Sequence, residues 1–333
     1  MIWLTWRQLR TQLLVAAIGL AVLAAYLVYL GVRIRHDYTV DVVNCVPSDC
    51  DNTRRLFTDR YVAPVSLLGL LLLALPGLVG AFWGAPLVAR ELETRTDLLV
   101  WNQSVTRGRW LAVKLVLVGA AAVAVTAALS LLLTWNASRY DQWVGDRFAA
   151  MSFAARNVAP LGYAAFAFVL GVLAGLLVRR TVPAMAITLG VFAVLQIVVP
   201  TAIRSHILPP VTTTVRFTAD AMQHARGFGI NPDTGASVHG YVMPGTWPMQ
   251  SESRVYNADG TPYTGTQARQ CMTGAGDFGK DMECMERQNL HFSYTYQPGS
   301  RYWPFQWIEL SAYILLALLL AGCALWRIRR RAG

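Results

Sequence analysis

Charge is absent from long stretches of this chain. Uncharged apolar runs cover residues 11–32, 61–89, 115–138, 157–178 and 181–203, and a shorter sixth, 310–326, begins just after Glu309. Each is close to the roughly 20 residues that carry a helix across a hydrocarbon core. The first is too long and unbroken for a signal peptide and lacks a small-residue cleavage site behind it. All six therefore read as retained membrane-spanning helices.

The intervals between the runs are unequal. Residues 33–60 and 139–156 form small polar loops, and about a hundred residues at 204–304 are enough for a small domain. Within that block the turn Asn257-Ala258-Asp259-Gly260 and the alternating HFSYTY at 291–296 predict strands, hence a partly β fold. Runs four and five are separated by only Arg179-Arg180, so they must be antiparallel neighbours. The expected organisation is five spans over 1–203 with a cytosolic helix at about 88–110, an extracellular domain at 204–304, and a sixth span with a basic tail at 305–333.

Composition agrees, with 55% apolar and only 14% charged residues, where soluble domains carry about a quarter charged. Orientation follows from arginine placement, since cytosolic flanks hold the excess of Lys and Arg. With both termini inside, that side holds Arg7, Arg10, Arg90, Arg95, Arg107, Arg109, Lys114, Arg179, Arg180, Arg327, Arg329, Arg330 and Arg331 against Glu91, Glu93 and Asp97, which places the whole formal charge of +10 there. Anionic lipid headgroups and a cytosolic protein explain such a face, with no need for nucleic acid. The plasma membrane is the expected location.

Cys45 and Cys50 fall in the first exported loop and Cys271 and Cys284 in the last, so both pairs read as disulfides on the oxidising side; their spacings match no zinc pattern. Cys323, inside the sixth run, reads as a buried packing residue. All five histidines, His36, His206, His224, His239 and His291, are placed outside without metal-ligand spacing, so no metal site is expected. No P-loop occurs. GAGDFGK at 274–280 fits a looser glycine pattern, but it follows no apolar strand, opens no helical pattern, and reads as a disulfide-closed turn.

Gly80-x-x-x-Gly84 and Gly171-x-x-x-Gly175 each put small residues on one helix face, for internal packing or for a subunit interface. Pro76, Pro86, Pro160, Pro183 and Pro200 start or kink spans. In RYWPFQWIEL, Glu309 sits about one turn into the entry of the last span, with Gln306 nearby and Trp303, Phe305 and Trp307 as an interfacial aromatic belt. It reads either as a functional ionisable group at membrane depth or as an interfacial carboxylate bonded to an arginine or a backbone amide.

The segment 88–114, VARELETRTDLLVWNQSVTRGRWLAVK, is the one substantial cytosolic loop. Leu92, Thr96, Leu99 and Val100 recur at helical spacing opposite Arg90, Glu91, Glu93, Arg95 and Asp97; the polar turn NQSVTRGRW follows, and Trp110 and Lys114 anchor the re-entry. Such a segment either rests on headgroups or docks a cytosolic subunit.

This segment resembles the one between the second and third spans of type-2 ABC exporter permeases, most of all the actinobacterial branch, where a similar REFE-x-GT…W-x-QSV-x-R-x-RW-x-x-VK string recurs. YQPGSRYWPFQWIE at 296–309 is similar to the string leading into that branch's last span. The resemblance implies an all-α polytopic permease of six spans with cytosolic termini. In it Arg90, Glu91, Glu93, Thr96, Gln103, Ser104, Arg107, Arg109, Trp110 and Lys114 occupy the coupling-helix region that contacts an ATPase. It further implies two separately encoded ATPase copies that bind ATP and Mg, a second permease subunit, identical or related, and no cofactor or catalytic residue in this chain. One departure stands out: the family's glycine before the threonine is Arg95 here. The uncharged spans suggest export of a hydrophobic or amphipathic cargo, such as a drug-like metabolite, peptide or lipid. The competing class is a signalling or mechanotransmission subunit whose exported block binds a ligand or envelope protein; a membrane enzyme acting through His291 and Glu309 is the third.

Overall fold

The computed structural model describes residues 2–45, 50–94, 106–144, 147–231, 235–271 and 278–330. It divides into two compact units, Met1–Pro200 with Pro304–Gly333, and Thr201–Trp303. In chain order the first unit holds α1 (Ile2–Asp37), a π-helical turn (Tyr38–Val43), α2 (Cys50–Val79), a second π-helical turn (Gly80–Gly84), α3 (Ala85–Glu93), α4 (Arg107–Val144), α5 (Ala150–Ala155), α6 (Ala159–Val178) and α7 (Thr181–Val198), and a third π-helical turn (Val199–Ile203) runs across the division between the units.

The second unit holds α8 (Arg204–Ile207), β1 (Val211–Arg216), α9 (Ala219–Gln223), β2 (Gly227–Asn231), β3 (Gly235–His239), β4 (Trp247–Pro248), β5 (Glu252–Tyr256), α10 (Gly265–Cys271), α11 (Phe278–Glu286) and β6 (His291–Gln297). The last helix, α12 (Tyr302–Arg330), returns to the first unit.

Among the described residues six helical segments are long and apolar enough to cross a membrane: Ala17–Val43, Asn52–Glu93, Arg107–Val144, Ala159–Val178, Thr181–Ile207 and Gly299–Arg330. The chain is thus a mostly helical, six-span membrane protein with a separate small antiparallel sheet. Most helices outrun the uncharged runs, because a helix continues into water wherever its neighbours support it. The expected loops at 33–60 and 139–156 shrink accordingly: α1 extends to Asp37, α2 already begins at Cys50, and α5 occupies the second. The Cys45–Cys50 disulfide closes the short connection that remains.

The central helix is α6, with 67% of its apolar window buried inside the protein, against 17% to 39% in the other spans. Small residues make that position possible. A side-chain carbon on Gly80 or Gly84 would strike the α6 carbonyls of Ala167 or Phe168, and one on Gly171 or Gly175 would strike the carbonyls of Gly80 or Ala85. The two small-residue motifs therefore face one another inside the chain, which selects internal packing. Pro76 precedes this contact by one turn and Pro86 opens α3, with the π-helical turn between them. Helix α6 ends on Arg179 in the left-handed region (φ 57°), its amide bonded to the Gly175 carbonyl at 3.0 Å. With only Arg180 before α7, the two helices are antiparallel.

The sheet of the second unit runs β1-β6-β5-β3-β2, all antiparallel, with β4 also on β6. The expected strand at 291–296 is β6, which pairs with β1, β4 and β5, and the expected turn at Asn257 follows β5, its Gly260 amide bonded to the Asn257 carbonyl at 2.9 Å. Phe217, Val238, Val255, Tyr263, Leu290 and Phe292 form a core of its own. The Cys271–Cys284 disulfide joins α10 to α11. One expectation is corrected here: a helix begins at Phe278, inside GAGDFGK, but a helix and not a strand precedes it. Gly274 to Asp277 lie outside the described residues. A second correction is Cys323, which is exposed on the outer surface of α12 rather than buried.

Candidate functional site

At the basic end of the first unit, the end of α3, the starts of α4 and α7, and the end of α12 meet. Lys114 lies two turns into α4, and its Nζ is 2.5 Å from Glu91 Oε1 in the last turn of α3. The same ammonium donates to the Leu87 carbonyl at 3.4 Å and stands 4.2 Å from the centre of the Trp110 ring. Both Lys114 and Trp110 are buried. A cation in this position costs desolvation, offset by the carboxylate, the carbonyl and the aromatic face together.

Glu93 makes a second tie. Its Oε2 accepts the Thr181 hydroxyl at 2.8 Å and the Thr181 amide at 3.2 Å. Arg180, the residue that caps α7 in sequence, offers no side-chain bond to that helix start. A carboxylate from α3 thus caps the first turn of α7, where free amides and the helix dipole favour negative charge. The third tie is steric: Gly108 has the Arg329 guanidinium against it, so closely that an added carbon would lie 3.1 Å from Nε. Beneath these contacts Val88, Trp110, Leu111, Val172, Leu176, Ala324 and Ile328 form one apolar cluster.

Of the ten residues the sequence singles out in this region, Arg90 and Arg109 are exposed, Arg107 is half-buried, Glu91 and Glu93 bond to other helices, and Trp110 and Lys114 sit in the packing. Thr96, Gln103 and Ser104 lie outside the described residues, as does Arg95. Trp110 and Lys114, expected to anchor the re-entry, lie in the first two turns of α4, which starts at Arg107, and both turn inward against the other helices. Sequence reasoning missed Thr181; its signal is its place as the first helical residue after Arg180, where an acceptor is needed.

At the opposite end of this unit lies Glu309. Because α12 starts at Tyr302, Glu309 lies two turns in, buried, and accepts the Tyr163 hydroxyl of α6. Of its two expected settings, burial within the bundle agrees with the one inside the span, and its bond to a tyrosine differs from the expected arginine or backbone amide. Gln306, fully buried, accepts the Ala159 amide at 2.9 Å and donates to the Phe153 carbonyl at 3.0 Å, so it holds the start of α6 to α12. Trp303 and Trp307 are exposed as a belt requires, whereas Phe305 turns inward, 6.4 Å from Phe148.

The histidines stay dispersed: His36 lies 3.2 Å from Asp37 and His291 stacks on Tyr256. Among the described residues no three His, Cys, Asp or Glu gather as a metal cluster would require. In the sheet unit, burial pushes the Tyr241 and Tyr263 phenols up from their ordinary value.

A family described as ABC-2 membrane transporter related matches residues 17–204, more than half of the chain. No curated protein and no solved structure matches.

Proposed function

The chain belongs to the ABC-2 membrane transporter related family, and from that membership we propose that it is the permease of an ABC exporter, driven by a separate ATPase at its basic end. The family implies association with an ABC ATPase. In this reading the basic end is cytosolic, two ATPase copies bind ATP and Mg, and this chain pairs with a second permease. The sheet unit is extracellular, and the cargo is a hydrophobic or amphipathic compound such as a drug-like metabolite, peptide or lipid. The resemblance of 88–114 to actinobacterial exporters belongs to the same proposal.

The observation that carries it is the pair of ties at the end of α3. Glu91 bonds to Lys114 of α4 and Glu93 caps α7. A force applied to the segment after Glu93 would therefore reach three spans at once through short polar contacts. Glu91, Glu93 and Arg107 transmit in this scheme and catalyse nothing.

The test is copurification of a P-loop ATPase with the chain, followed by Glu93→Ala and Arg107→Ala in the complex. Both variants should lower cargo-stimulated ATP hydrolysis and transport while membrane insertion stays normal; unchanged transport overturns the assignment. A second reading is favoured by the sheet unit, whose own core and disulfide make it a folded block. There the chain is a signalling or mechanotransmission subunit that binds a ligand or envelope protein, and the reconstituted complex would move no compound in liposomes.

A further inference from the structure

Away from the basic end, α2, the end of α4 and α5 enclose a cavity of about 130 Å³. Its polar wall carries Tyr140, Asp141, Ser152 and Arg156; its apolar wall carries Val65, Val144 and Met151. The last two are exposed, so the cavity opens on the surface of the bundle. Arg156 itself is not exposed, with its side chain only 6% accessible. Its Nη1 donates to Asp141, but its Nε is buried and has no hydrogen-bond partner.

A guanidinium presents five donors in a rigid fork suited to carboxylate or phosphate. Leaving one of them buried and unsatisfied is unfavourable, and such exceptions call for a missing partner. The volume has room for one oxyanion group and several waters, and a longer tail would have to leave through the open mouth. The apolar wall beside the mouth would take the first carbons of a tail. Position agrees: Val65 lies about one turn beyond Tyr61, where α2 changes from charged to apolar, the depth at which an amphiphile changes from head to tail.

We propose that this cavity binds the anionic head of an amphiphile, a carboxylate or phosphate carried on an apolar tail, with Arg156 as its ligand and Asp141 as a built-in competitor for the same guanidinium. The inference does not need the permease reading, since binding is measured without ATPase or transport; its failure would leave the coupling assignment standing.

Binding of radiolabelled dodecyl phosphate to the full chain in a neutral maltoside detergent tests it. Dodecanol and inorganic phosphate should each bind about tenfold more weakly or worse. Arg156→Gln should weaken dodecyl phosphate by about the same factor. Asp141→Asn should tighten it, because the competing carboxylate is neutralised, whereas a purely structural ion pair would weaken in both variants. Met151→Trp, which fills the mouth and spares the pair, should abolish binding and keeps the proposal testable if Arg156→Gln fails to fold. Displacement by phosphatidic acid would assign the site to a bilayer lipid, and resistance to displacement to a single-tailed compound. Equal binding of dodecanol, or weaker binding in Asp141→Asn, overturns the proposal.

Discussion

Glu93 caps a helix to which it does not belong: its carboxylate takes both the hydroxyl and the amide of Thr181, at 2.8 and 3.2 Å, across the gap between α3 and α7. Thr181→Val removes the hydroxyl and keeps the amide, so it should impair coupling less than Glu93→Ala, which removes both. Cargo-stimulated ATP hydrolysis of the assembled complex measures this, and an order reversed between the two variants would count against the capping role. Since Glu93 is exposed and Thr181 half-buried, both changes should lower thermal stability only slightly.

The Lys114–Glu91 pair, with its ammonium buried and its carboxylate half-buried, should behave differently. Lys114→Met leaves the Glu91 carboxylate without its ammonium and should destabilise the chain by about 3 kcal/mol, whereas Lys114→Met with Glu91→Gln should recover most of that loss. Thermal unfolding of the detergent-solubilised chain gives both numbers. Additive losses in the double variant would mean that the contact contributes little.

The contact between α6 and the Gly80–Gly84 turn makes a sharp contrast among glycines. Gly171→Ala would drive a methyl group into the Gly80 carbonyl and should cost about 1 to 3 kcal/mol through backbone displacement. Gly190→Ala, in α7 with nothing within 4 Å, should be neutral or stabilising by about 0.5 to 1 kcal/mol. Melting temperatures of the two single variants, compared with the parent, decide it.

Tyr241 and Tyr263 give the sheet unit an alkaline limit. Burial raises both phenols above their ordinary value, so the unfolded chain ionises first, near pH 10. The stability linked to them is complete below that pH and is lost as pH rises toward and through the folded values. Near-ultraviolet circular dichroism of the full chain should show the aromatic core of this unit melting above about pH 10, earlier than in Tyr241→Phe. Identical alkaline transitions would argue against this linkage.

The sequence by itself determined the number of spans, the antiparallel α6–α7 pair and the two disulfide pairs, because length, apolarity and local spacing are properties of a segment and its near neighbours. It also marked the strand around His291 and the turn at Asn257, where alternation and turn residues act locally. Tertiary structure decided the rest. Uncharged runs do not show where a helix stops or which side chains turn inward, so the burial of Trp110 and Lys114 followed only from α4, which starts at Arg107, and that of Glu309 only from α12, which starts at Tyr302. Glycine spacing alone could not choose between an internal and an external partner; the meeting of Gly80 with Gly171 did. Thr181, Tyr163 and the Asp141–Arg156 pair were illegible for a plain reason: each gains its meaning from a residue 15 to 146 positions away, and only folding brings such polar partners within hydrogen-bonding distance.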